Sequence, residues 1–152
     1  MDAIDAKILR CLSRNARQKA SGISQEINLS VSAVIERIHK MEDSGLIERY
    51  TTVLNQKKLG NDISALMELS LEHPKHYDAF VEKIMGIHNV VACHYLTGDF
   101  DFMLQIVASS SEALEVLHRQ IKSMEGVSST RTHFVLKTVK DEATLLPEGA
   151  YS

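Results

Sequence analysis

Apolar residues recur at helical spacing through the first 45 positions and change to strand-like alternation after about position 60. Ile4, Ile8, Leu9 and Leu12 form one stripe. Asp2 is placed to cap that helix, Asp5 sits in its first turn, and Asn15, which tolerates the left-handed conformation, is the expected stop. A short second helix carries Ile23 and Ile27. Asn28-Leu29-Ser30 then reads as a turn followed by an N-cap. The third helix runs to about Ser44 with Val31, Val34, Ile35, Ile38 and Met41 as its expected buried stripe, ended by Gly45. Leu46 to Leu54 alternates loosely and is rich in Thr, Val and Tyr, which predicts a strand or short wing.

The second part contains an internal repeat. A shift of 37 residues places Tyr77 on Leu114, Phe80 on Leu117, Ile84 on Ile121, Ile87 on Met124 and Val90 on Val127. The same shift places Ala65, Met67, Leu69 and Leu71 on Phe102, Leu104, Ile106 and Ala108. Each half is therefore strand, helix, strand. The strands are expected at about 63–72, 89–96, 99–108 and 127–139, and the helices at about 75–86 and 110–124. Thr97-Gly98 is the expected tight hairpin. This is the βαββαβ ferredoxin-like pattern, with four antiparallel strands and two helices on one face. The other face would carry Leu66, Tyr95, Met103 and Val107 among polar residues, and is expected to meet a second copy.

Composition sharpens this division. The net charge of -3 argues mildly against a nucleic-acid binder. Divided at Tyr50, however, it becomes +1 before and -4 after. No apolar run approaches the roughly 20 residues of a membrane helix. The acidic, amphipathic Met1-Asp2-Ala3-Ile4-Asp5 is unlike a signal peptide, and Cys11 and Cys93 are too few for a disulfide framework, so a cytoplasmic protein is expected.

Three candidate chemistries follow. A short helix, a three-residue turn and an amphipathic helix opening with Ser have helix-turn-helix spacing, although an ordinary helical hairpin with a solvated face has it too. The free side of the third helix would present Ser32, Ala33, Glu36, Arg37, His39, Lys40 and Asp43: small residues for close approach to bases, and Arg37 long enough to reach a guanine or a phosphate, while Ser30 and the first backbone N–H groups can meet a phosphate. The hairpin Gly98-Asp99-Phe100-Asp101 is either a turn with solvated carboxylates or, with the Thr130 and Thr132 hydroxyls, part of a small-molecule site. His73, His76, His88, His94 and Cys93 do not converge, so no metal site is expected. No phosphate loop, nucleophile elbow or paired-carboxylate site is present, and no cofactor or catalytic residue is assigned.

Asp2-x-x-Asp5-x-x-Ile8-Leu9-x-x-Leu12-x-x-Asn15-Ala16-Arg17, Leu29-Ser30 and Val34-x-x-Arg37-Ile38-x-x-Met41-Glu42-x-x-Gly45-Leu46-Ile47 together resemble the Lrp/AsnC (feast/famine) family of prokaryotic transcriptional regulators. Gly98-Asp99-Phe100-Asp101-Phe102 is similar to that family's effector-domain hairpin, and Gly126-Val127 to Thr130-Arg131-Thr132 to its last strand. The resemblance spans about residues 2 to 140. It departs at Lys19, where the family usually has a capping Ser, at Gly22, where it favours Glu or Asp, and at Asn28, where it has a turn Gly. Gly22 costs about 1 kcal/mol relative to Ala inside a helix, which moves the expected helix start toward Ser21.

The resemblance implies a winged helix-turn-helix domain (1–50), a wing and linker (51–62), an effector-binding and oligomerisation domain (63–140) and a C-terminal tail (141–152). It also implies double-stranded DNA as partner, an amino acid as effector held at Gly98, Asp99, Phe100, Asp101, Thr130 and Thr132, and homodimers that assemble to octamers on the nucleoid. Two other functions share the scaffold: a tetrapyrrole decarboxylase, and an amino-acid-sensing module that does not bind DNA.

Overall fold

The computed structural model describes residues 1–151; Ser152, the last residue of the expected tail, lies outside the described residues. The chain forms two compact units, one of Met1–Val53 together with the segment from Lys140 onward, the other of Leu54–Val139.

In the first unit α1 spans Ala3–Arg14, α2 Ala20–Ile27 and α3 Val31–Asp43. The Asp2 carboxylate accepts from the backbone N–H of Ile4 and Asp5 at 2.9 Å each, and Asp5 accepts from the Asp2 N–H at 3.1 Å, a reciprocal capping box. α1 does end at Asn15, but with extended backbone (φ -153°) rather than left-handed. The Asn15 side chain accepts from the Arg17 N–H at 3.0 Å and so turns the chain without positive φ. α2 starts at Ala20, one residue ahead of Ser21, with no side-chain cap at Lys19. Asn28 takes the left-handed turn (φ 59°). The Ser30 hydroxyl caps α3 by accepting from the Ala33 N–H at 3.2 Å.

Ile8, Cys11, Ile23, Val34 and Met41 form the core of this unit, with Ile38 packed against them. The expected α3 stripe was too wide. Val34, Ile38 and Met41 follow the i, i+4, i+7 line inward, whereas Val31 and Ile35 flank it and remain 41% exposed. The expected wing is absent: residues 46–55 form no strand. Their amide groups find no ladder partner within the unit, and Tyr50 instead donates its hydroxyl to Glu42 at 2.7 Å. Burial and that carboxylate push the Tyr50 phenol up to about 12.

The second unit is the ferredoxin-like domain. Its elements are β1 Ile63–Leu71, α4 Tyr77–Met85, β2 Val90–Tyr95, β3 Phe102–Ala108, α5 Ser111–Lys122 and β4 Val127–Phe134, in sheet order β2-β3-β1-β4 with every pairing antiparallel. The internal repeat is the core itself: Ala65, Met67 and Leu69 pack with Phe102, Leu104, Ile106 and Ala108 beneath Phe80, Ile84, Leu117 and Ile121.

Three expectations change here. β3 begins at Phe102 instead of Asp99, because the Asp101 carboxylate accepts the Leu71 N–H at 2.8 Å in place of a ladder carbonyl, leaving a loop from Thr97 that Leu96 and Asp101 close at 2.7 Å. β4 ends at Phe134 instead of Val139, since its partner β1 starts at Ile63. The last bond is Val135 N–H to the Ser64 carbonyl, and Leu136 and Val139 beyond it are 98% and 90% exposed. Finally, a bulge at Val91 changes the phase of β2. Cys93 and Tyr95 then pair with Leu104 and Phe102 on the helix side, and His94 joins Met103 on the open side. Tyr95 is therefore not part of the open face. Leu66, Met103 and Val107 share that face with Glu68, Gln105, Arg131 and His133, with His133 Nε2 3.2 Å from Glu68.

Candidate DNA-binding surface and ligand pocket

The α2-turn-α3 segment presents the N-terminal turn of α3 to solvent. Ser30 Oγ lies 3.4 Å from Ser32 Oγ, and the exposed Glu36 and Lys40 pair at 3.0 Å one helical turn apart. Arg37 is placed differently from the other expected contacts. Its Nη1 donates to both oxygens of Asp2, at 3.0 and 2.8 Å, and to Asp5 at 2.9 Å. The capping box of α1 thus doubles as a carboxylate seat for the central cation of α3. Beside it runs a groove of about 540 Å³, lined by Met1, Asp5, Ala33, Glu36, Arg37, Lys40, Met41, Ser44 and Leu46.

The electrostatics follow the geometry. The Asp5 N–H first, then Arg37, hold the Asp2 carboxyl below the ordinary aspartate range, and Asp2 and Asp5 in turn raise Arg37. A carboxyl whose folded pKa lies below its unfolded one contributes stability above about pH 4, lost as pH falls through the folded value. The melting temperature of Asp2→Asn is therefore expected to lie below that of the unaltered chain at neutral pH, with the gap closing as the buffer is taken to about pH 2. A constant gap across the series would show that the charge of Asp2 plays no part.

Arg14 and Glu26 form a second brace, between α1 and α2. Neither brace was read from the sequence, although opposite charges on neighbouring helices were the available signal. Arg17, Lys19 and Arg49 are exposed, and among the described residues no ion pair is found for any of them.

In the second unit a cavity of about 470 Å³ lies between the start of α4 and the β2–β3 loop, lined by Leu71, Pro74, Tyr77, Asp78, Tyr95 and Asp101. Its aromatic wall is continuous with the core. The Tyr77 and Tyr95 rings meet edge-to-face at 5.0 Å, and both rest on Phe102, at 5.6 and 5.2 Å. Of the six expected ligand residues, Asp101 alone lines this cavity. Gly98 (φ 110°) turns the loop, the Asp99 carbonyl accepts from Ser70 Oγ at 3.3 Å, and the Phe100 ring lies 5.3 Å beneath the Arg131 guanidinium. Thr130 and Thr132 pair with Leu69 and Met67 on the helix side of the sheet, and the Thr132 hydroxyl is buried there without a hydrogen-bond partner. Tyr77, Asp78 and Tyr95 were not anticipated. The bulge at Val91 hid Tyr95, and the fold had to bring the start of α4 beside it.

Among the described residues no three His, Cys, Asp or Glu side chains gather to hold a metal, and no helix is long and apolar enough to cross a membrane.

Two family models match the chain. The AsnC-type helix-turn-helix domain covers residues 1–42, and the Lrp/AsnC ligand binding domain covers residues 64–145. The HTH-type transcriptional regulator FL11 of Pyrococcus furiosus is 33% identical over 147 residues, covering 97% of this chain and 96% of its own. The leucine-responsive regulatory protein of Haemophilus influenzae is 32% identical over 143 residues, covering 92% and 86%. A transcriptional regulator of Neisseria meningitidis, solved as a complex with L-methionine, superposes with a TM-score of 0.91 at 26% identity, covering 95% of this chain and 96% of that one.

Proposed function

The chain belongs to the Lrp/AsnC family of transcriptional regulators, and on that premise we propose that it reads DNA with α3 and answers to an amino acid held by its ferredoxin-like unit. The observation that carries this reading is the exposed first turn of α3. Ser30, Ser32 and Ala33 are small enough to let the helix approach base edges. Behind them Glu36, Arg37 and Lys40 form the flank nearest the phosphates, where Arg37 exchanges its carboxylate partners for a phosphate.

For the ligand, the cavity beside Asp101 offers two tyrosine rings for a side chain and the Asp78 and Asp101 carboxylates for an ammonium group. Gly98, Asp99 and Phe100 form the loop at its edge, and Thr130 and Thr132 support the sheet behind it. L-methionine bound to the Neisseria relative supports an amino acid as the ligand class. The open sheet face around Leu66, Met103 and Val107 is the surface we assign to a second copy, with dimers assembling to octamers on cytoplasmic, nucleoid-bound DNA. A head carrying +1 gains affinity from such multivalency. The relatives named above are regulators, which supports this reading over an enzymatic one.

The test is selection of duplexes from a random-sequence pool, with and without a panel of the twenty amino acids, followed by a salt titration of the winning duplex. The slope of log affinity against log salt is expected near -0.9 per phosphate neutralised. Arg37→Ala is expected to weaken binding by about tenfold and to reduce that slope by about one phosphate, with association between copies unchanged. An unchanged affinity and slope would remove Arg37 from the surface.

A further inference from the structure

Besides its buried stripe, α1 carries a second line of positions, Ala3, Ala6 and Arg10, spaced three and four apart on another side of the helix. In a three-helix unit this side would face water, yet Ala6 is 2% exposed. The chain that covers it comes from the far end of the sequence. Residues from Lys140 onward leave β4 and join the first unit, where Glu148–Ala150 form a single helical turn. Gly149 lies so close that a β-carbon there would sit 3.3 Å from the Ala6 Cβ and 3.7 Å from the Ala3 Cα. Ala150 is fully buried, and its carbonyl accepts from Arg10 Nη1 at 3.1 Å. Small residues on both sides permit the approach, and one charge-assisted bond fixes the register.

From this seat we infer that the C-terminal segment is an intramolecular latch: its docking on α1 completes the DNA-binding unit, and DNA affinity depends on it. The first unit is then assembled from both ends of the chain, with the whole ligand-binding unit inserted between Val53 and Lys140. An N-terminal helical unit freshly made lacks its latch until the ligand-binding unit has also been synthesised. The latch is also acidic, since Lys140 is set against Asp141, Glu142 and Glu148. Removing it therefore raises the positive charge of the unit. On charge alone, removal would tighten DNA binding, so a loss of affinity can only come from the latch.

Three preparations test the inference: the unaltered chain, a chain stopped after Val139, and full-length Gly149→Leu, which keeps every charge but cannot fit against Ala6. Amide hydrogen exchange is followed in α1, with β1 of the other unit as internal reference for a folded chain. In both variants α1 is expected to exchange at least about tenfold faster while β1 is unchanged. Affinity for a duplex selected with the unaltered chain is expected to fall by at least about tenfold. Unchanged α1 exchange, or DNA binding as tight as or tighter than the original in either variant, overturns the latch. The inference rests on the DNA-binding reading only for its second readout. If no duplex is selected at all, that reading fails, and α1 exchange still decides whether the latch exists.

Discussion

Phe102→Ala is expected to destabilise the ligand-binding unit by about 4 kcal/mol, because a buried phenylalanine loses both its transfer energy and its packing when truncated. Phe102 is 1% exposed, and its ring meets Phe80 at 4.7 Å as well as Tyr77 and Tyr95. The void would therefore open beneath three aromatic rings at once. In a domain of this size the melting temperature should drop by on the order of 20 °C, read by circular dichroism or calorimetry. If the proposed ligand site is correct the effect should reach function too, since Tyr77 and Tyr95 wall that cavity and rest on this ring. At a temperature where the variant is still folded, affinity for the amino acid found by selection should already be reduced. Phe100→Ala is the matched control. That ring lies in the loop with Arg131 over its face, and an exposed contact of this kind contributes only about 0.5–1 kcal/mol. Equal losses from the two variants would mean that the core is not organised around Phe102.

Gly126→Ala is expected to cost about 3 kcal/mol, from two separable causes. Gly126 has φ 87°, which alone costs an alanine about 1 kcal/mol. The His76 ring also fills the place of the new methyl group: a β-carbon would stand 2.3 Å from its Cγ and 2.6 Å from its Cβ. These are the root atoms of the side chain, so a rotation of the ring tip gives no relief. The Gly126 carbonyl meanwhile holds the Glu72 N–H at 2.7 Å, which prevents the turn from swinging away. Gly45 provides the comparison, with φ 75° and nothing within 4 Å of its added β-carbon, so Gly45→Ala should show the backbone cost alone, about 1 kcal/mol. In a double-mutant cycle His76→Gly, which removes the Cβ as well as the ring, should return about 2 kcal/mol to Gly126→Ala. No coupling between the two positions would refute the steric account.

These two residues also show what the sequence made legible. Phe102 could be placed in the core from alternation and from the shift of 37 residues, because both signals come from one repeated burial pattern. Gly126 was visible only as the start of the last-strand resemblance, not as the floor under His76, since that contact joins residues fifty positions apart. The same divide runs through the sites. Ser30 was correctly read as a cap because capping is local, acting over three residues. Arg37 was read as a free cation because its partners, Asp2 and Asp5, come from another helix. The cavity proposed for the ligand was half visible. Asp101 lay in a recognisable loop, whereas Tyr95 depended on an irregularity that strict alternation cannot express. The expected wing failed for the opposite reason: residues 46–55 have strand composition but no strand beside them within the unit.

The bulge at Val91 has a consequence for how such a protein changes over time. Were Val91 drawn into the ladder opposite Gln105 in place of Ala92, β2 would alternate simply from Val90 and turn over without altering any side chain. His94 would enter the cavity wall, and Cys93 and Tyr95 would move to the open face of the sheet. The residues facing the cavity and those facing the open side of the sheet are therefore separated on this strand by register rather than by composition. A lineage can exchange them by one step of register, and substitutions at Tyr95 and His94 are best compared only between relatives that keep this register.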